Sequence, residues 1–289
     1  MNFRLFQAFV LALPALLGPG VALAWGPIGH AVIGQAAVQG ADMEAQAAVA
    51  EILGAGSPAA LMDAIDTACN WPDAVRETGE WSWSEPLHYV NMPHGIARYD
   101  RQRDCPDGLC VTEGILRFAA ELGRPGLDGS DPDEVAGDPP RRWRAFAWLC
   151  HLVGDLHQPL HAGVRDDRGG NLVNVRYRGA TFDLHEFWDE VLAAERCDAE
   201  CQAAAARAVP AAEIPRWAPA DVAAWTGESH ALAFSLAYPP DFTSGMEIDD
   251  SFADRSWSLT REQWRLAAAR LAAILNAVLG SEGAAEPGG

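Results

Sequence analysis

The sequence contains no lysine. Its 21 basic side chains are all arginine, set against 40 acidic ones, for a formal net charge of −19 at pH 7. Such a surface repels nucleic acid at long range. That counts against a passive nucleic-acid binder, but not against an enzyme whose site carries its own cations. No apolar run reaches the ~20 residues that span a bilayer. There is no Gly-rich phosphate loop, no Gly-x-Ser-x-Gly elbow and no internal repeat, which sets aside the P-loop and serine-hydrolase classes.

What is present begins at the N-terminus. Arg4 is followed by an apolar stretch from Leu5 to Leu17, then Gly18-Pro19-Gly20 and Ala22-Leu23-Ala24. A basic start, a short apolar segment broken by Pro14 and a small-x-small exit predict a secretory signal peptide over 1–24. Its removal takes away Arg4, its one charged side chain, and leaves a chain at −20 that starts at Trp25. Residues 25–280 are long enough for one domain with a full core. The Pro/Gly-rich stretch 124–140 reads as a loop, and 281–289 as a disordered tail. An exported chain permits disulfides among its six cysteines. Cys105 and Cys110 bracket a short loop and are expected to pair, and Cys197 and Cys201 are also close in sequence. Cys69 and Cys150 could pair, remain buried thiols or serve as metal ligands.

Ala, Leu, Glu and Arg at helical spacing predict a mainly α single domain, with helices over 29–39, 43–53, 59–70, 109–122, 140–156, 182–195, 219–236 and 260–279. One β-hairpin is expected, alternating over 172–178, turning at Gly179 and returning over 181–184.

The strongest chemical signal is the run from Trp148 to His161, WLCHLVGDLHQPLH. His151 and Asp155 are four apart and project from one helix face. Pro159 ends the helix, and His161 follows in the turn. Imidazoles with a carboxylate at this spacing suit zinc, and burying them without compensation is costly. His185 and Asp189 repeat the spacing. His157 projects from another side and reads as a supporting residue, while His94 and His230 have no assignable partner. Weaker signals are His30 in WGPIGH, where a freed Trp25 amine and its carbonyl could chelate a cation, Asp73 in NWPDAVR and His88 in LHYVN. Each alone is compatible with a cap, a turn or a hydrogen-bonded core histidine.

Together these segments resemble the zinc-dependent, single-strand-specific nuclease and 3′-nucleotidase family, a relative of zinc phospholipase C. The resemblance runs from Trp25 to about Asn276 and includes WGPIGH, NWPDAVR, LHYVN, the RDC…C loop, HLVGDLHQPLH, DRGGN, DLHEFWD and RLAAILN. It implies the helical fold of that superfamily and three zinc sites. Asp73, His88, His151 and Asp155 would hold the first ion. His161, His185 and Asp189 would hold the second. The Trp25 amine and carbonyl, His30 and Asp155 would hold the third. It further implies a catalytic set of Arg76, Asp73 and Asp155, with Arg76 bracing the transition state, and a substrate contact at Tyr89 and Asn91. The implied activity is hydrolysis of single-stranded DNA and RNA to 5′-phosphate products, together with removal of the phosphate from 3′-nucleotides, by a secreted or periplasmic monomer without stable membrane association.

Several positions depart from the fungal pattern. Tyr89 stands for a stacking Phe, Asn91 for a base-reading Asp, the segment 162–168 is one residue longer, and a cleft lysine of some fungal members cannot be present. A zinc phospholipase C and a non-catalytic exported zinc-binding protein are the competing readings. Asp189 rather than Glu as the last ligand favours the nuclease over the phospholipase.

Overall fold

A computed structural model describes residues 25–124 and 138–280. The expected signal peptide, the C-terminal tail and all but the ends of the 124–140 loop lie outside the described residues. In chain order the α-helices are α1 (Pro27–Gly40), α2 (Met43–Ile52), α3 (Pro58–Val75), α4 (Arg101–Asp104), α5 (Val111–Leu122), α6 (Arg141–Leu156), α7 (Leu184–Glu186), α8 (Leu192–Arg196), α9 (Ala199–Ala205), α10 (Asp221–Leu232) and α11 (Asp250–Leu279). A π-helical turn, Phe187–Val191, joins α7 to α8, and 3-10 turns cover Ser82–His88 and Pro159–Ala162.

Helix α6 is the axis of the fold. Every residue from Ala145 to Leu156 is buried, as expected of a helix enclosed on all sides. It packs against α1, α3, α5 and α11. Ser57 caps the first turn of α3 and Asp249 that of α11, each side chain accepting from a backbone N–H three residues on. The Cys69–Cys150 disulfide ties α3 to α6. Gly34 of α1 makes room for it: a Cβ there would stand 2.5 Å from Cys69 Sγ and 2.8 Å from Cys150 Sγ. Cys105–Cys110 and Cys197–Cys201 are also bonded, so the described residues contain no free cysteine.

The helical class is as expected, but four details differ. Helix α3 continues through Pro72 to Val75 rather than ending at Asn70. Helix α11 begins ten residues before the expected start, at its Asp249 cap. The expected helix over 182–195 yields its first two residues to a strand, and its middle turn is π-helical. Finally, the hairpin of β1 (Asn174–Tyr177) and β2 (Ala180–Asp183) is not isolated. A short third strand, β3 (Met246–Glu247), pairs in parallel with β1 and gives the order β2-β1-β3. Two residues without alternation carry no strand signal.

Candidate metal centre

Five segments far apart in sequence deliver eight acidic and imidazole side chains to one buried place. His30 comes from the first turns of α1, Asp73 from the last turn of α3 and His88 from the end of a 3-10 turn. His151 and Asp155 lie one helical turn apart on α6, and His161 follows in the next 3-10 turn. His185 sits in α7 and Asp189 in the π-helical turn behind it. All but Asp73 are buried, and Asp73 is 11% exposed.

They form three groups of potential metal ligands: His30, His151 and Asp155; Asp73, His88 and His151; and His161, His185 and Asp189. In and around the second group, His88 Nδ1 stands 2.9 Å from His151 Nε2, 3.0 Å from Asp155 Oδ2 and 3.7 Å from Asp73 Oδ1. His151 Nε2 stands 3.3 Å from Asp155 Oδ2 and 3.6 Å from Asp73 Oδ1. Four ligands around one zinc at ~2.0–2.1 Å stand about 3.3–3.4 Å apart, and the five separations bracket that value. The other carboxylate oxygen of Asp155 faces His30 Nε2 at 3.4 Å, so one side chain serves both groups. His30 stacks on His151 with centroids 3.9 Å apart. Gly154 permits this approach, since a Cβ there would meet His30 Nδ1 at 2.8 Å.

The third group gives the clearest test of fit. His161 Nδ1 donates to the His88 carbonyl at 2.6 Å, and His185 Nδ1 donates to the Gly169 carbonyl at 2.7 Å. With those protons committed, a ring carrying no second proton presents a lone pair at Nε2. The two Nε2 atoms face each other at 3.0 Å, beside Asp189 Oδ2 at 3.1 Å from His185 and 3.8 Å from His161. Facing lone pairs repel unless a proton or a metal ion lies between them, and three donor atoms converging on one point fit a metal ion. His151 repeats the motif, its Nδ1 donating to the Cys69 carbonyl at 2.9 Å. Such outer bonds fix the ring and its tautomer in metal sites. Both nitrogens of His30, together with Asp73 Oδ1, Asp155 Oδ1 and Asp189 Oδ2, are buried without a hydrogen-bond partner. Unpaired buried polar atoms in this number are costly, and a coordinated cation satisfies them.

Electrostatics agree. Burial, reinforced by His151, holds His30 well below its usual value, and burial also lowers His88. Both are thereby kept in the neutral form that ligates metal. Burial pushes His151 and His185 down as well, but the carboxylates of Asp155 and Asp189 outweigh it and raise them. Asp155 and Asp189 remain ionised despite burial, because the neighbouring imidazoles hold them low.

The centre lies beneath a cleft of about 710 Å³, which His88, His161 and His185 help to line. Arg76, the residue after α3, is 7% exposed and lines the cleft, with Nη1 3.3 Å from Asp73 Oδ1. Tyr89 and Asn91 line it too. Their segment is anchored by Val90 N donating to the His161 carbonyl and Met92 N to the Gly163 carbonyl. Trp25 is 1% exposed, and the next amide, Gly26 N–H, donates to the Asp189 carbonyl at 2.9 Å. The residue that follows Trp25 is therefore tied to the third group.

Cys69 and Cys150 pair with each other and are not ligands. His157 faces away from the centre, donating from Nδ1 to the Val153 carbonyl and accepting from buried Arg270 at Nε2, 2.9 Å away. His230 donates to the Ala162 carbonyl, and His94 packs edge-on against Phe234. Sequence reasoning did not find Gln158, whose Nε2 donates to Asp189 Oδ1 at 2.6 Å. It also did not assign Arg168, Asn171, Glu77 and Glu85, which complete the cleft wall. Asn171 lies in the quoted DRGGN segment, but its place on the wall depends on the left-handed backbone of Arg168, Gly169 and Gly170.

Comparison with known proteins gives a consistent picture. The S1/P1 nuclease family model matches residues 25–280. The chain is similar to endonuclease 4 of Arabidopsis thaliana, at 32% identity over 196 residues, covering 66% of this chain and 62% of that protein. It is similar to nuclease P1 of Penicillium citrinum at 29% identity over 171 residues, covering 57% of each chain. It is also similar to nuclease S1 of Aspergillus oryzae at 27% over 168 residues, covering 57% of this chain and 53% of that one. The matched regions thus span between about half and two thirds of these relatives. With the family model matching nearly all of the described residues, the chain belongs to the S1/P1 nuclease family.

Proposed function

We propose that the chain is an exported phosphodiesterase that holds three zinc ions and cleaves single-stranded DNA and RNA, releasing 5′-phosphate ends, and that it also removes the phosphate of 3′-nucleotides. One observation carries the reading: of three groups of facing His and Asp donors, two reach a single cleft through His88, His161 and His185, the other shares His151 with one of them, and the cleft wall bears Arg76 and Tyr89. Asp73, His88, His151 and Asp155 would hold the first ion. His161, His185 and Asp189 would hold the second. His30, Asp155 and the amine and carbonyl of Trp25 would hold the third, once residues 1–24 are removed. Bound zinc lowers the pKa of water toward neutrality and offsets charge on phosphoryl oxygens. Three Zn²⁺ would outweigh the three carboxylates and make the cleft floor positive inside an acidic protein.

The chain's own residues orient the substrate around that floor. Asp155 directs one oxygen to each of two neighbouring groups, fixing their relative position. Arg76 is oriented by Asp73, and its planar fork braces the phosphoryl oxygens as negative charge grows in the transition state. Tyr89 stacks a base, which a paired base in a duplex cannot reach, and Asn91 contacts the base edge. Arg168 lies near enough to Tyr89 to counter the upward push of burial and Glu85 on its phenol, adding positive charge to that wall. The three disulfides support an oxidising compartment, secreted or periplasmic. Among the described residues no helix is long and apolar enough to cross a membrane. All the proposed ligands lie in one chain, so a monomer suffices.

A paired assay tests the reading. Protein beginning at Trp25 should hydrolyse single-stranded DNA, RNA and a 3′-nucleotide, and lose that activity to a chelator. Cleavage of phosphatidylcholine with single strands left intact would move the assignment to a phospholipase C.

A further inference from the structure

Away from the metal centre, α9, the segment after it and α11 enclose a second pocket of about 510 Å³, within the size range of small-molecule sites. Its lining is unusual for this chain. Arg196, Arg207, Arg261 and Arg265 converge there with Trp257 and Trp264, in a molecule whose 40 acidic side chains outnumber its 21 basic ones. Asp254 engages Arg196, and Glu213 engages Arg265. Arg207 and Arg261 have no carboxylate partner among the described residues, although carboxylates dominate the composition. Arg261 instead lies over the ring of Trp257, 5.9 Å from its centroid. Trp257 meets Trp264 edge-on at 5.4 Å, and Trp264 meets Trp25 edge-on at 6.0 Å, so the indole wall is held by the core. Ala36, Ala205 and Ala268 leave the space between walls open.

Two arginines without carboxylates, at an apolar cavity with an indole wall, complement a ligand that is anionic at one end and flat at the other. The guanidinium fork matches phosphate geometry, and an indole face accepts a base by stacking. We infer that this pocket binds a nucleoside monophosphate, with the phosphate at Arg207 and Arg261 and the base against Trp257. The choice of a nucleotide among aromatic anions rests on the proposed phosphodiesterase reading. The pocket itself shares no lining residue with the metal cleft.

Photolabelling with azidoadenosine 5′-monophosphate, followed by peptide mapping and by calorimetry with adenosine 5′-monophosphate, tests the inference. The proteins compared are the wild type, R207A/R261A and the cleft variant Y89A. Label is expected on peptides containing 204–210 or 257–265 in wild type and Y89A. In R207A/R261A the label should be lost and affinity should fall by about tenfold or more, the effect of losing charge-assisted bonds, while single-strand cleavage is retained. Label confined to peptides around Tyr89 and Asn171, or unchanged labelling of R207A/R261A, would overturn the site. Inorganic phosphate competing as well as the nucleotide would overturn the nucleotide class. Loss of the nuclease reading would show separately, as absent strand cleavage with pocket labelling intact.

Discussion

Arg76 and Asp155 show how much a single side chain does at this centre. Asp155 is fully buried, yet it turns one oxygen to His30 and the other to His88 and His151. Cations on both sides of the carboxylate would use both oxygens at once. Arg76 lies in the cleft wall, paired with Asp73. If its fork acts on the transition state, a lysine at this place keeps the charge but loses the planar two-point geometry. Arg76→Lys is therefore expected to lower kcat on single-stranded DNA by about 10²–10³-fold, with KM little changed and the zinc content intact. Steady-state kinetics with metal analysis on the same preparation checks this, and full kcat in the variant would remove Arg76 from the mechanism.

At the scale of elements, the centre depends on a few devices that hold helices in register. The Cys69–Cys150 disulfide clamps α3 to α6 next to His151, and the Cys69 carbonyl accepts the proton of His151 Nδ1. Structural and metal-orienting roles therefore coincide there. Replacing both cysteines by alanine should cost about 2–5 kcal/mol of stability and weaken zinc binding by about 10–100-fold. Thermal unfolding and a zinc-chelator competition titration measure the two effects. The Cys197–Cys201 pair joins the end of α8 to α9, and the Cys197 carbonyl accepts from Gln202 rather than from a proposed ligand, so its removal should leave zinc affinity unchanged. Equal effects from the two pairs would contradict the assigned role of Cys69–Cys150.

This scale also shows what the sequence made legible. The His151/Asp155 and His185/Asp189 pairs were readable because four-residue spacing puts side chains on one helix face, and α5 and α6 follow the expected boundaries closely. Asp73 was harder to place. Asn-Trp-Pro reads as a helix end, while α3 runs through Pro72 because its tertiary contacts with α1 and α6 carry the last turn. The start of α11 was missed because the charged and polar residues of its first turns obscure the apolar period, although Asp249 caps it. The convergence of five distant segments, and the part played by Gln158 in holding Asp189, follow from no local pattern. Family resemblance supplied the grouping, and the geometry supplied the outer bonds.

At the scale of the whole molecule, an acidic chain surrounds a centre that is proposed to be positive only when loaded. Eight buried or nearly buried side chains gather there, and polar atoms of five of them have no hydrogen-bond partner. Metal that binds the folded state alone stabilises it by mass action, by about 4 kcal/mol at a thousandfold excess over Kd. Stripping zinc with a chelator should therefore lower Tm by about 10 °C or more, as read by scanning calorimetry with and without zinc added back. An unchanged Tm would mean that the buried groups are satisfied without metal.

The central claim is that these groups hold three zinc ions, one of them through a freed Trp25 amine. Anomalous diffraction at the zinc edge, from crystals of protein beginning at Trp25, tests it most directly. The account predicts three peaks: one among Asp73, His88, His151 and Asp155, one among His161, His185 and Asp189, and one between His30, Asp155 and the Trp25 amine. Their absence, with the imidazoles and carboxylates closed on one another by hydrogen bonds in zinc-containing buffer, would contradict it.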